Sequence, residues 1–142
     1  MKARHRLYSL PKRKWAVLGR IVDSQWAGLD PAQMGLGPVY AMEPLLNRHH
    51  LAPADIDYWE INEAFCIVAL NCIKELGLDP ERVNVMGGGT AIGHALGATG
   101  IRLVGTLARI LNEKTARYGC ANACVGGGKG VATVIEREKY GW

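Results

Sequence analysis

The sequence contains no run of about 18 apolar residues, so no segment of it is expected to span a membrane. It contains no CxxC pair either. Its four cysteines, Cys66, Cys72, Cys120 and Cys124, lack the spacing of a disulfide framework or a zinc ribbon, and a reduced, cytoplasmic chain is expected. The basic start, Met1-Lys2-Ala3-Arg4-His5-Arg6, is not followed by the apolar stretch that a secretory leader needs. Glycine is plentiful, yet Gly-Lys-Ser/Thr is missing, which excludes a P-loop, and a dinucleotide fingerprint fits poorly. No internal repeat or low-complexity tract is visible.

Positive charge is present without being organised. The net charge of +4 is partly concentrated in the first residues and in Pro11-Lys12-Arg13-Lys14, the pattern of a solvated terminus, and the remainder is too dispersed for a nucleic-acid partner. It would suit an anionic ligand carrying phosphates. With 142 residues, 49% of them apolar and 21% charged, the chain has the size and composition of one soluble domain with its own core.

Short apolar runs rich in strand formers alternate with longer helical stretches. Strands are expected at 15–22, 55–61, 82–86, 117–124 and 130–136, and helices at 39–50, 63–76 and 96–112. Residues 28–38 are dense in turn formers and read as a loop. The second helix is apolar nearly all round, as helices between layers are, and Gly77 is its natural stop. Strands alternating with helices, then a closing strand pair around Gly126-Gly127-Gly128, point to an α/β sheet covered on both faces.

Three motifs could carry chemistry. Asn62-Glu63-Ala64-Phe65 lies where a strand runs into a helix, the usual place for function in α/β sheets. Asn62 there is either an N-cap or an amide that positions a water or a carbonyl, and Glu63 in the first turn would suit the helix dipole. The second motif, from Gly87 to Gly100, has six glycines around His94. That histidine precedes a helix N-terminus, where N–H groups attract anions, and is read as structural or functional with equal weight. In the third, Cys124-Val125-Gly126-Gly127-Gly128-Lys129-Gly130, the cysteine is either a buried structural thiol or a reactive one beside N–H groups able to hold an oxyanion. Zinc is discounted: Cys120 and Cys124 on one regular strand would stand about 13 Å apart.

Together, in this order, the motifs are specific. Asn-Glu-Ala-Phe, then Gly-His-x-Leu-Gly-Ala-Thr-Gly, then Cys-x-Gly-Gly-Gly-x-Gly resembles the C-terminal domain of the thiolase family, and Asp30-Pro31 to Pro38 resembles the loop preceding these motifs there. The resemblance covers residues 16–138, dividing the chain into a poorly matched basic segment, 1–14, and a thiolase-like domain, 15–142. It implies a three-layer α-β-α domain with a mixed sheet of about five strands, the opening strand being the one this chain lacks unless residues 1–14 supply it.

The resemblance also implies roles. His94 would activate a nucleophilic cysteine and help bind the thioester oxygen, and Asn62 would hold a water completing that oxyanion hole. Cys124 would move the proton at the α-carbon, with a pKa lowered by a neighbouring imidazolium and a helix N-terminus. The Gly126 N–H would serve a second oxyanion hole, and Met34 and Phe65 would line the pantetheine and acyl pocket. The implied reaction is acyl transfer between CoA thioesters, with CoA as substrate and no resident cofactor or metal. Departures at four positions leave these groups in place: Ala95 where proline is usual, Thr90 where an apolar residue is common, and Cys66 and Cys120 where small or apolar residues are common.

No cysteine here resembles the family's nucleophile, which lies in an N-terminal half. The chain alone is therefore expected to be inactive, with an N-terminal thiolase half as partner. The halves of such an enzyme pack their central helices together, so the chain alone should expose apolar surface around helix 63–76 or helix 96–112 and favour a homo-oligomer. The alternative is a non-catalytic thiolase-like module binding an acyl-CoA or a protein, and the trio Asn62, His94 and Cys124 argues against it. A ketoacyl synthase is disfavoured by the setting of Cys124.

Overall fold

The computed structural model describes residues 17–138, so the expectation for segment 1–14 lies outside the described residues. Four strands form one mixed sheet in the order β1-β4-β3-β2: β1 (Gly19–Gly28), β2 (Tyr58–Ile61), β3 (Tyr118–Val125) and β4 (Lys129–Arg137). β2 and β3 run parallel, whereas β3–β4 and β4–β1 are antiparallel. Four helices cover it: α1 (Gly37–Arg48), α2 (Cys66–Leu76), the single turn α3 (Gly89–Ile92) and α4 (Thr99–Glu113).

Period-two alternation along the strands builds two cores. Trp59, Ile61, Cys120, Cys124, Ala132 and Val134 point to one face, where α1 and α2 bring Met42, Leu45, Val68 and Cys72. Ala121 and Ile135 point to the other, against Leu103, Leu107 and Leu111 of α4. The arrangement is the expected three layers, and four strands come close to the expected five. Cys120 and Cys124 share a face of β3, as strand geometry requires.

Several boundaries differ from the sequence reading, each for a physical reason. β1 runs on to Gly28 through polar Ser24 and Gln25, because an edge strand tolerates them: Ser24 Oγ lies 3.0 Å from Thr133 Oγ1 across the ladder, and Gln25 Oε1 accepts from Arg48 at 2.9 Å. β1 is thus the strand expected at 15–22, and the question of an opening strand supplied by residues 1–14 lies outside the described residues. The strand expected at 82–86 is reduced to one parallel bridge, Trp59 to Val83. Pro80–Arg82 forms a 3-10 turn before it, and Asn84 takes a left-handed φ of 49° after it. The Asn84 side chain then supplies what a strand neighbour would, accepting from Ile61 N–H at 2.7 Å and donating to Ile61 C=O at 2.9 Å.

The loop expected at 28–38 contains a 3-10 turn, Pro31–Leu36, capped by the Asp30 side chain. It packs directly on the glycine turn joining β3 and β4. Leu29 N–H donates to Gly128 C=O at 2.8 Å, and a Cβ on Gly130 would collide with the Gly37 backbone. Glycine in this motif therefore serves close backbone approach.

Candidate active site

β2 and β3 are the parallel pair, and the three motifs converge at their carboxyl ends. Asn62 directly follows β2, its N–H donating to Asn122 C=O of β3 at 2.9 Å, and Cys124 lies two residues further along β3. Asn62 is fully buried and does not cap α2: the chain turns through residues 62–65 and α2 starts only at Cys66, behind Phe65. The N-cap reading of Asn62 is thereby set aside.

Glu63 does not complement the α2 dipole either. Its carboxylate accepts from Asn84 Nδ2 at 2.6 Å and from the Thr90 N–H, in the first turn of α3, at 2.9 Å. Burial pushes this carboxyl up, but the Thr90 and Asn84 hydrogen bonds and the Arg102 charge together hold it below the ordinary value. A Cβ on Gly88 would strike the same carboxylate. Glu63 thus ties the glycine loop carrying His94 to the end of β2.

His94 is held from both ring nitrogens. Nδ1 lies 2.8 Å from Thr99 Oγ1 and Nε2 lies 3.5 Å from Asn62 Nδ2. Thr99 donates its only hydroxyl hydrogen to Ala95 C=O at 3.0 Å, so it must accept from His94. The neutral imidazole is therefore the Nδ1–H tautomer, with the Nε2 lone pair facing the Asn62 amide donor. Such a ring can take a proton at Nε2 and then offer Nε2–H and Asn62 Nδ2–H side by side to an oxygen. Thr99 and Glu63 were not singled out as site residues from sequence. The usable signal for Thr99 was a hydroxyl in the first turn of an otherwise amphipathic helix.

Cys124 is buried in the α1–α2 core, and no hydrogen bond joins it to Asn62 or His94 among the described residues. Burial pushes its thiol up, the reverse of the expected lowering, because apolar neighbours rather than an imidazolium surround it. Met34, in the 3-10 turn, packs against the same cluster. Gly126 is exposed in the turn after Cys124, with nothing within 4 Å of where its Cβ would stand. Phe65 is 62% exposed at the start of α2, apart from the others. The structure thus joins Asn62 to His94, sets Cys124 and Gly126 on the adjacent strand end with Met34 beneath, and leaves Phe65 at the surface. Among the described residues no group of three or more His, Cys, Asp or Glu side chains is placed to hold a metal ion.

The domain is a three-layer α/β fold with Asn62 and Cys124 at neighbouring strand ends and His94 in the glycine loop beside Asn62. The chain belongs to the thiolase family: residues 15–137 match the model of the thiolase C-terminal domain. It is 46% identical over 122 residues to a peroxisomal 3-ketoacyl-CoA thiolase of Encephalitozoon cuniculi, covering 85% of this chain and 31% of that one. It is 45% identical over 120 residues to an acetyl-CoA acetyltransferase of Thiocystis violacea, covering 84% and 30%. The crystal structure of human mitochondrial 3-ketoacyl-CoA thiolase, also solved in complex with CoA, superposes with a TM-score of 0.83 at 40% identity, over 85% of this chain and 31% of that one. The chain therefore spans about a third of the length of these relatives.

Proposed function

We propose that this chain is the C-terminal catalytic half of a thiolase. It would work with an N-terminal half on CoA thioesters, cleaving a 3-ketoacyl-CoA such as acetoacetyl-CoA with CoA, or condensing acyl-CoA units in reverse. The observation that carries this reading is the meeting of Asn62 and His94 at 3.5 Å beside the strand end that bears Cys124. The relatives' names, and the human relative's structure with CoA, support the substrate class.

In the cleavage direction, His94 Nε2 takes the proton of the nucleophilic cysteine in the N-terminal half. That thiolate attacks the 3-keto carbon, and the bond between the α-carbon and this carbon breaks. The two-carbon fragment leaves as the acetyl-CoA enolate, whose oxygen is held by His94 Nε2–H and a water held by Asn62, and Cys124 protonates its carbon. The Gly126 N–H serves the oxyanion formed at the attacked carbon. The CoA thiol then gives its proton to the Cys124 thiolate and attacks the acyl-cysteine carbon, releasing the shortened acyl-CoA and the nucleophile, which recovers its proton from His94. A thiol kept protonated by burial suits the acid role in cleavage, and condensation needs it deprotonated. Met34 and Phe65 are assigned to the pantetheine and acyl pocket, and CoA enters as substrate, with no resident cofactor.

Thiolysis of acetoacetyl-CoA should be absent for the chain alone and appear on mixing with a purified N-terminal thiolase half. In the mixture Cys124→Ala should abolish it, and Asn62→Ala should lower kcat by roughly 10²–10³. Activity in the chain alone would sink the complementary-half reading. Inactivity in both arms together with CoA binding in a titration would favour the non-catalytic module. The reaction is assigned to the cytoplasm, although the relatives described include peroxisomal and mitochondrial enzymes.

Apolar side chains are exposed at Phe65, Ile67 and Leu70 at and on α2, at Ile92 ending α3, at Leu96 in the loop after it, and at Ile101 on α4. We assign the α4 side to the N-terminal half. Without it the chain should self-associate, giving a dimer or larger at micromolar concentration in sedimentation, and a strict monomer would refute this.

A further inference from the structure

Two charged side chains near the site, Glu60 wholly buried and Arg102 mostly so, have no part in the chemistry above. Glu60 of β2 is wholly inaccessible, and neither carboxylate oxygen has a hydrogen-bond partner. Among the described residues its one ion-pair partner is Arg102 of α4, with Nη1 at 3.7 Å, and Arg102 Nε and Nη2 are likewise buried and unpartnered. A buried pair this poorly satisfied is a weak source of stability, which makes its placement the informative observation.

That placement closes a ring. Glu60 is two residues before Asn62, so both lie toward the α4 face of the strand end, and Arg102 is one helical turn after Thr99. Across the gap between β2 and α4 there are thus two links in series. One is Glu60 to Arg102; the other runs from Asn62 through His94 to Thr99. Among the described residues, Glu60–Arg102 is the only ion pair between α4 and the sheet. The loop of residues 93–98 is itself exposed and has no core packing to set its height. Where His94 stands against Asn62 is therefore set from two sides, by the Glu63 tether at Thr90 before it and by the seat of α4 on β2 after it.

We propose that Glu60 and Arg102 are positioning residues for the Asn62–His94 pair, setting the seat of α4 on β2 so that His94 Nε2 meets the Asn62 amide. Neither touches the reacting atoms. The catalytic meaning of this pair rests on the function proposed above, but its structural content does not.

The test is the ring ¹⁵N spectrum of His94 and the side-chain amide resonance of Asn62, in the full chain, for the wild type, Glu60→Gln and the neutral double variant Glu60→Gln/Arg102→Met. Arg109→Met, which removes a surface pair with Glu113 on the same helix, is the control. In the double variant the Asn62 amide should shift and the His94 preference for Nδ1–H should fall by about threefold or more, because one of its two supporting contacts is loosened. The control should leave both unchanged. Spectra of the double variant that superpose on the wild type's would overturn the proposal, as would an equal response in Arg109→Met. Should the double variant not fold, Glu60→Gln alone, nearly isosteric, must produce the same displacement in weaker form or the proposal fails. Complemented thiolysis separates the two readings: altered resonances without any thiolysis in the wild-type mixture would remove the thiolase function and keep the positioning pair. Thiolysis with unmoved resonances would do the opposite. With both in hand, the double variant should lose about tenfold in kcat with KM little changed, since substrate contacts are untouched.

Discussion

Arg102→Met should destabilise the chain by about 3–5 kcal/mol at pH 8, with most of the loss restored by adding Glu60→Gln. The single substitution leaves the Glu60 carboxylate, with no accessible surface and no hydrogen bond, without its one counter-charge. The double variant removes the charge along with its partner, so the desolvation cost goes too. Urea unfolding of the four species gives the cycle directly. Additive losses would mean that the two side chains do not interact in solution.

The same carboxyl gives a pH signature. Burial raises its pKa from 4.5 to about 7, the Arg102 charge only partly opposing this and Glu63 adding to it. The sign follows from proton counting: between these values the folded chain binds more protons at this site than the unfolded chain does. Stability from Glu60 is therefore greatest below pH 4.5, is lost as pH rises toward about 7, and is flat above, by about 3 kcal/mol in all. Glu136 and Asp23, whose carboxyls stay below their usual values, act in the opposite direction at lower pH. The measurement is thus the difference between wild type and Glu60→Gln from pH 4.5 to 8. A difference independent of pH would show that Glu60 is not the titrating group.

How much of this was legible in the sequence follows from which forces act locally. The order of strands and helices could be read because apolar spacing repeats along single segments, and Gly77 stops α2 at φ 61° as a glycine after a helix should. The strand expected at 82–86 could not be corrected from its own residues. Its replacement depends on the Asn84 amide reaching Ile61, a partner 23 positions away. Asn62 and Glu63 read locally as helix-start residues, and tertiary hydrogen bonds from His94, Asn84 and Thr90 reassigned both. The site trio came from family resemblance rather than from periodicity. The raised thiol of Cys124 came from neither, because the α1–α2 core that surrounds it is assembled from distant segments.

Two glycines of one motif should respond to alanine in opposite ways. Gly130→Ala should cost more than about 4 kcal/mol or prevent folding outright, whereas Gly126→Ala should stay within about 0.5 kcal/mol of wild type. At Gly130 the new methyl would fall on the backbone carbonyl of Gly37, and Gly37 is locked in turn against Lys129 C=O, so neither side has a flexible chain to move aside. Relief would require lifting α1, with Val39, Met42 and Leu45, from the sheet. At Gly126 the space is open and φ does not lie in the left-handed region, unlike Gly127 and Gly128. The contrast bears on function as well. If the contribution of Gly126 is its N–H, Gly126→Ala should keep both the fold and the donor, and complemented thiolysis should survive it within about threefold. A collapse of activity in a well-folded Gly126→Ala would show that substrate must pass through the space its missing side chain leaves, making that glycine a steric element of the pocket rather than a backbone donor.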